Sequence, residues 1–438
     1  MRLLLRCVIA VCVCLLAATP AWAQNSGGLP GPDHAVAKKA YEQAERVVLL
    51  EDAAQGDVVH YQFDVPVGPG PYDVIRMHRV VKEVRPGGPA KKMEGVLLLP
   101  GSPQLFTQIF LPPASAGVEA EEGSIALFLA SHEVDVWGID YGWSFVPYGT
   151  PDFAPLEGWG IDKETAHVSS ALSIARWLRA RSGQGVGPIH LLGFSYGGFL
   201  AFSTASEDTQ RPGNLKNVKG IIPVEGAAFK NTSTAVACKS AATFAAQLLA
   251  GAIVSDSSWM MLAGRAAVEN PDALSPQGLA ALSPYFLAVP PGTFTNYQWA
   301  LASFIRSLFF AGAYAPDPPS VTTIFTDGGR IIELLANTPA YQLVRASYDM
   351  SASRCDSPDF PVAFDDHLGE VTVPIFAVTR RIVPTLDVLP RTASTDVTTL
   401  VLNPTQSPLL YGHADVMLAN DAASVVWQPI LDWIKAHR

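Results

Sequence analysis

The chain is poor in cysteine and poor in charge. Five cysteines in 438 residues exclude a disulfide-dense small scaffold, and no His-Glu-x-x-His spacing offers a zinc site. Charged residues make up 16% against 49% hydrophobic, which excludes a disordered chain. No glycine-rich dinucleotide or phosphate loop stands at the start of the strand–helix pattern, so neither a metal nor an organic cofactor is implied. Basic residues are the scarcer sign: 30 Lys and Arg against 40 Asp and Glu give a formal charge of −10. Setting aside the N-terminal segment with Arg2 and Arg6 leaves 28 basic against 40 acidic residues, or −12. That balance argues against nucleic acid or an anionic membrane as partner. A long membrane-spanning run is also missing, because Leu301–Ala315 is short and carries Arg306 at its middle.

What is present begins with Met1–Ala23, which reads as a secretory signal. Arg2 and Arg6 supply the positive start, Cys7–Ala18 the apolar stretch, and Ala21-Trp22-Ala23 the small-x-small site before Gln24. The expected mature protein is secreted, either periplasmic or extracellular, with no stable membrane insertion. Cys7, Cys12 and Cys14 leave with this segment, and the remaining pair, Cys238 and Cys355, is expected to form a disulfide.

Strand and helix patterns then alternate. A helical stretch is expected around Ala35–Val48, strands at Val58–Val65, Tyr72–Val84, Gly95–Leu99 and Val134–Ile139, and helices at Ser124–Ala130 and Glu164–Arg181. Further strands fall at Pro188–Leu192, Gly220–Val224, Val373–Val378 and Val397–Leu402, with a closing helix at Ala422–Ile434. Such alternation predicts an α/β architecture: a doubly wound, mostly parallel sheet with helices on both faces. Residues 227–370 break the pattern. Their helix formers and apolar stretches predict a helical cap inserted over the sheet's carboxyl edge, dividing the core into 24–226 and 371–438.

The chemistry centres on Gly193-Phe194-Ser195-Tyr196-Gly197, placed where a strand ends and a helix begins. A serine on so sharp a turn is exposed, and the helix N-terminus beyond it favours a nearby oxyanion. A serine hydroxyl needs a base, and of nine histidines only His413, in Gly412-His413-Ala414-Asp415, follows the last strand at the same carboxyl edge.

These residues resemble the α/β-hydrolase superfamily over nearly the whole mature length. The supporting matches are Leu99-Pro100-Gly101-Ser102 and Val136-Trp137-Gly138-Ile139-Asp140. The resemblance implies an eight-stranded sheet and an oxyanion hole made by the N–H of Tyr196 with that of Ser102, or alternatively of Gln104, since Pro103 has none. It also implies an acid after the penultimate strand, but arginine stands there, in Arg380-Arg381-Ile382-Val383-Pro384. Glu225, at the end of Ile221-Ile222-Pro223-Val224-Glu225, is the favoured acid, with Asp387 the alternative. The implied activity is hydrolysis of a carboxylic ester with an apolar acyl or aryl part, through an acyl-enzyme on Ser195. An amidase, a lactonase or a cofactor-free haloperoxidase could use the same groups, and a non-catalytic binding protein could keep the fold. A haloalkane dehalogenase is disfavoured, because it needs a carboxylate where Ser195 stands.

Overall fold

Nine strands run through one sheet in the computed structural model, which describes residues 33–438 except 53, 90–91, 116, 227–233, 283–285, 356, 381–385 and 404–409. The expected signal segment lies outside the described residues. The strands are β1 (Glu45–Leu50), β2 (Asp57–Pro66), β3 (Val74–Arg85), β4 (Glu94–Leu99), β5 (Val134–Asp140), β6 (Ile189–Phe194), β7 (Val218–Val224), β8 (Ile375–Thr379) and β9 (Val397–Val401). Their order across the sheet is β1-β2-β3-β5-β4-β6-β7-β8-β9, with the two-residue strand Gly88–Pro89 pairing β3. The first three are antiparallel to their neighbours, and β4 to β9 are mutually parallel with β5. Parallel strands covered on both faces are buried throughout, so β4, β5, β6 and β7 read as nearly unbroken apolar runs.

The period of two splits those runs between two cores. Leu98, Val136, Leu192, Ile222 and Val378 face one side, with α2 (Ile125–Ser131) and the C-terminal helix α10 (Gln428–Ala436). Leu97, Ile139, Leu191 and Ile221 face the other, with α3 (Ile161–Arg181) and α4 (Tyr196–Asp208). Because the order runs β5-β4-β6, the direction of winding reverses between β4 and β6. A crevice at such a reversal lies at the strands' carboxyl ends, the usual place for a ligand in an open α/β sheet.

Three expectations need correction. The sheet has nine principal strands rather than eight, because Val47 and Val48, read as the tail of a helix, pair with His60 and Val59 as edge strand β1. Helix α1 (His34–Glu42) stops before them. The segment between β7 and β8 is not all helix. It holds α5 (Thr234–Leu249), α6 (Ser258–Glu269), α7 (Asn296–Arg306), α8 (Gly328–Ala336) and α9 (Val344–Ala352). It also forms a hairpin from Gly312–Pro316 and Pro319–Thr323, and a ribbon pairing Val254–Asp256 with Tyr341–Leu343. Leu301–Ala315 therefore divides into a helix end and a strand, and no described helix is long and apolar enough to cross a membrane. Cys238 in α5 is bonded to Cys355 just after α9, joining the two ends of the insertion.

Candidate active site

Ser195 is the N-cap of α4 and has φ 53 and ψ −113, a strained backbone for any residue but glycine. The turn is this tight because strand and helix nearly touch: a Cβ on Gly197 would come within 2.0 Å of the Leu99 carbonyl oxygen. The Ser195 N–H donates to Val224 O at 2.8 Å, extending the β6–β7 pairing by one residue and laying Ser195 beside Glu225. Glu225 also has positive φ, 52°, and Leu308 has 60°. Three of the four positive-φ residues other than glycine among those described thus converge here, the clustering expected where strain serves a site.

His413 comes from the loop between β9 and α10. Its N–H donates to Leu308 O (3.1 Å), and the N–H of Ala414 to Phe309 O (2.8 Å), so the insertion forms one wall of this loop. Buried Asp415 braces it from beneath, accepting from the N–H groups of Gly412 and Ala311 and from the Thr326 hydroxyl, each at 2.6 Å. The imidazole packs against the rings of Phe194 (4.9 Å between centroids) and Phe309 (5.3 Å). Its Nδ1 lies 3.2 Å from Glu225 Oε2, which leaves Nε2 as the ring nitrogen directed away from that carboxylate.

Glu225 is held from every side. Oε2 also meets Arg380 Nε at 2.9 Å, while Oε1 accepts from the Arg380 N–H (2.5 Å) and the Thr379 hydroxyl (3.0 Å). Burial pushes the Glu225 carboxyl up, but the bonds and charges of His413 and Arg380 outweigh it and hold the group below the ordinary range. Arg380, standing where the superfamily resemblance leads one to expect the acid, is therefore the partner of an acid that sits one strand away. The remainder of that stretch, 381–384, lies outside the described residues. Among the described residues Asp387 makes no hydrogen bond or ion pair with His413, and its Oδ2 is buried without a hydrogen-bond partner.

The loop after β4 reaches the serine closely: a Cβ on Gly101 would stand 3.1 Å from Ser195 Cβ. Tyr196 is the first residue of α4, so its N–H has no partner within the helix. Among the described residues the Ser102 N–H donates to no acceptor, and its hydroxyl lies 3.4 Å from Gln342 Oε1 of the insertion. The N–H of Gln104, the alternative donor, closes a turn onto Gly101 O at 2.8 Å.

Sequence reading missed what holds this loop. Tyr141 donates its hydroxyl to Pro100 O (2.8 Å), and Asp140 accepts from the Phe106 N–H (2.6 Å). Behind Asp140 runs a buried chain, with His78 Nε2 at 3.1 Å from Asp140 and His60 Nε2 at 3.0 Å from His78 Nδ1. Burial drops the His60 imidazole to about 3, which keeps that ring neutral at ordinary pH. The signal available was Asp140 closing the buried strand β5, with Tyr141 directly after it.

A scan of protein-family models finds no match, and neither does a search of curated proteins. Solved structures do match. A candidate lipase from Sulfolobus solfataricus superposes with a TM-score of 0.59 at 20% identity, over 91% of this chain and 100% of that one. A soluble variant of monoglyceride lipase from Saccharomyces cerevisiae gives a TM-score of 0.42 at 11% identity, over 83% and 92%. At 20% identity the first of these likenesses speaks for architecture alone. With a parallel sheet that reverses its winding between β4 and β6, and a serine turn at that reversal, the chain has the α/β-hydrolase fold.

Proposed function

We propose that this chain is a serine hydrolase that cleaves a carboxylic ester with an apolar acyl or aryl part through an acyl-enzyme on Ser195. The observation that supports it most is the Glu225–His413 hydrogen bond, 3.2 Å long, built beside a half-buried serine whose backbone is strained into a tight turn. In this reading Glu225 fixes the imidazole with its proton on Nδ1, and Nε2 takes the Ser195 proton as Oγ attacks the ester carbonyl. The oxyanion that forms is met by the N–H groups of Tyr196 and Ser102 at the end of the α4 dipole. Collapse breaks the ester bond, and the imidazolium gives its proton to the departing alkoxide. Water then repeats the sequence against the acyl-enzyme, and its proton passes through His413 back to Ser195.

The insertion serves as a cap, and Phe309 against His413 gives the site an apolar wall, which favours an apolar acyl or aryl group. The protein is secreted after removal of Met1–Ala23, a setting in which the Cys238–Cys355 bond persists. The test is a panel of p-nitrophenyl esters of increasing acyl length, with a peptide and a lactone alongside, on wild-type protein and Ser195→Ala. Hydrolysis of the esters that vanishes in the variant is expected. Folded wild-type protein inert toward the whole panel would favour a binding role instead.

A further inference from the structure

The insertion contains a cleft that the proposed reaction does not use. It opens between α6 and α7, has a volume of about 550 Å³ and is walled by Trp259, Leu262, Leu279 and Trp299. That volume falls within the range of small-molecule sites. Trp259 and Leu262 leave 48% and 44% of their surface to solvent, and the Trp299 indole is fixed by donating to Gly278 O at 3.3 Å. Arg306, the last residue of α7, reaches into the same cleft. Its Nε is shielded from solvent, and among the described residues it has neither a hydrogen-bond acceptor nor an ion-pair partner. By contrast Arg79, Arg179, Arg345 and Arg380 each meet a carboxylate, in a chain where acids outnumber bases.

We propose that this cleft binds a small amphipathic carboxylate, with its apolar body against Trp259, Leu262 and Trp299 and its carboxylate on the Arg306 guanidinium. Arg306 brings a positive charge to an otherwise apolar cleft wall, and a carboxylate supplies two charge-assisted bonds in the geometry a guanidinium presents. A neutral apolar molecule would fill the walls and leave Arg306 unpaired. The cleft also connects to the His413 loop through the end of α7. Two residues beyond Arg306, Leu308 O accepts from the His413 N–H and from Arg380 Nη1 (2.9 Å). A row of rings runs from Trp259 to Phe304 (5.7 Å), to Phe309 (5.5 Å) and to His413 (5.3 Å).

The source of the carboxylate rests on the ester-hydrolase reading: it is either the acid released by hydrolysis or a free acid group on the substrate. Binding itself does not rest on it, since octanoate is no substrate, so the first arm titrates wild-type protein with octanoate and with octanol by calorimetry and tryptophan fluorescence. Octanoate should bind one to one and at least ~10-fold more tightly than octanol, a preference lost in Arg306→Gln and partly kept in Arg306→Lys. Equal affinity for the two ligands, no octanoate binding, or unchanged octanoate affinity in a folded Arg306→Gln would overturn the proposal. A second arm compares sources through turnover. Inhibition of p-nitrophenyl octanoate hydrolysis by octanoate, relieved in Arg306→Gln, identifies the product. A preference in kcat/KM for a p-nitrophenyl hemiester over its methyl ester, lost in the same variant, identifies the substrate. Wild-type protein that binds octanoate but hydrolyses no ester would leave the site standing and sink the hydrolase reading.

Discussion

At Glu225 one carboxylate serves a histidine and an arginine at once. Its two oxygens accept from the Arg380 N–H and side chain, the Thr379 hydroxyl and His413, which fixes its plane and with it the imidazole. Because these partners depress its pKa, the carboxylate keeps its charge to lower pH than an ordinary glutamate does. The stability it contributes is present above the unfolded value and is lost only as pH falls through the depressed one. Glu225→Gln should keep the fold yet lower kcat by up to about 10⁴-fold, since a neutral amide neither fixes the tautomer nor offsets the imidazolium charge. Asp387→Asn should be nearly silent, and both variants measured on one ester separate the two assignments. A silent Glu225→Gln with an inactive Asp387→Asn would reverse them. Glu225 was legible in the sequence because it ends an apolar strand at the serine's edge. The part of Arg380 was not, because it depends on β8 lying beside β7, a pairing between segments about 150 residues apart.

Among the elements, α3 carries the least expected side chain. Glu164 faces the core, fully buried, accepting from the Trp159 indole at 2.5 Å while Oε2 finds no partner. Burial raises its carboxyl to about 8, against the pull of Trp159 and Lys163. The native state therefore holds a proton on Glu164 that the unfolded chain releases near 4.5, so stability falls as pH rises from there toward 8. Glu164→Gln removes that penalty: it should change the melting temperature little at pH 5 and raise it by several degrees at pH 8, a gain on the order of a few kcal/mol. Equal shifts at both pH values would contradict the assignment. The sequence placed Glu164 at the start of this helix but could not bury it, because helical periodicity does not say which polar residue faces inward. The same limit explains β1, where Val47 and Val48 fit a helical spacing until an edge-strand partner claims them.

On the scale of the whole molecule, the insertion and the sheet are one working unit. Leu308 O fixes the His413 loop, Gln342 approaches Ser102, and Leu334 O accepts from Gln108 at 3.1 Å. The strand–helix alternation and the serine turn were legible because parallel strands leave long apolar runs and a distinctive Gly-x-Ser-x-Gly. The mixed interior of the insertion was not, since its short ribbons carry no such runs. The Cys238–Cys355 bond ties its ends across 117 residues, a loop whose closure is worth about 4–5 kcal/mol as an upper figure. Replacing both cysteines by serine should lower the unfolding free energy by up to that amount, read from denaturant midpoints. An unchanged midpoint would show that the cross-link adds nothing.

The account turns on Ser195 being a nucleophile activated by His413, and covalent labelling with a fluorophosphonate tests that most directly. Wild-type protein should take up one probe per chain, mapped by mass spectrometry to the Ser195 peptide. Labelling should disappear in Ser195→Ala and slow steeply in His413→Ala. A folded wild-type protein that resists the probe, or one labelled elsewhere and equally in Ser195→Ala, would contradict the account.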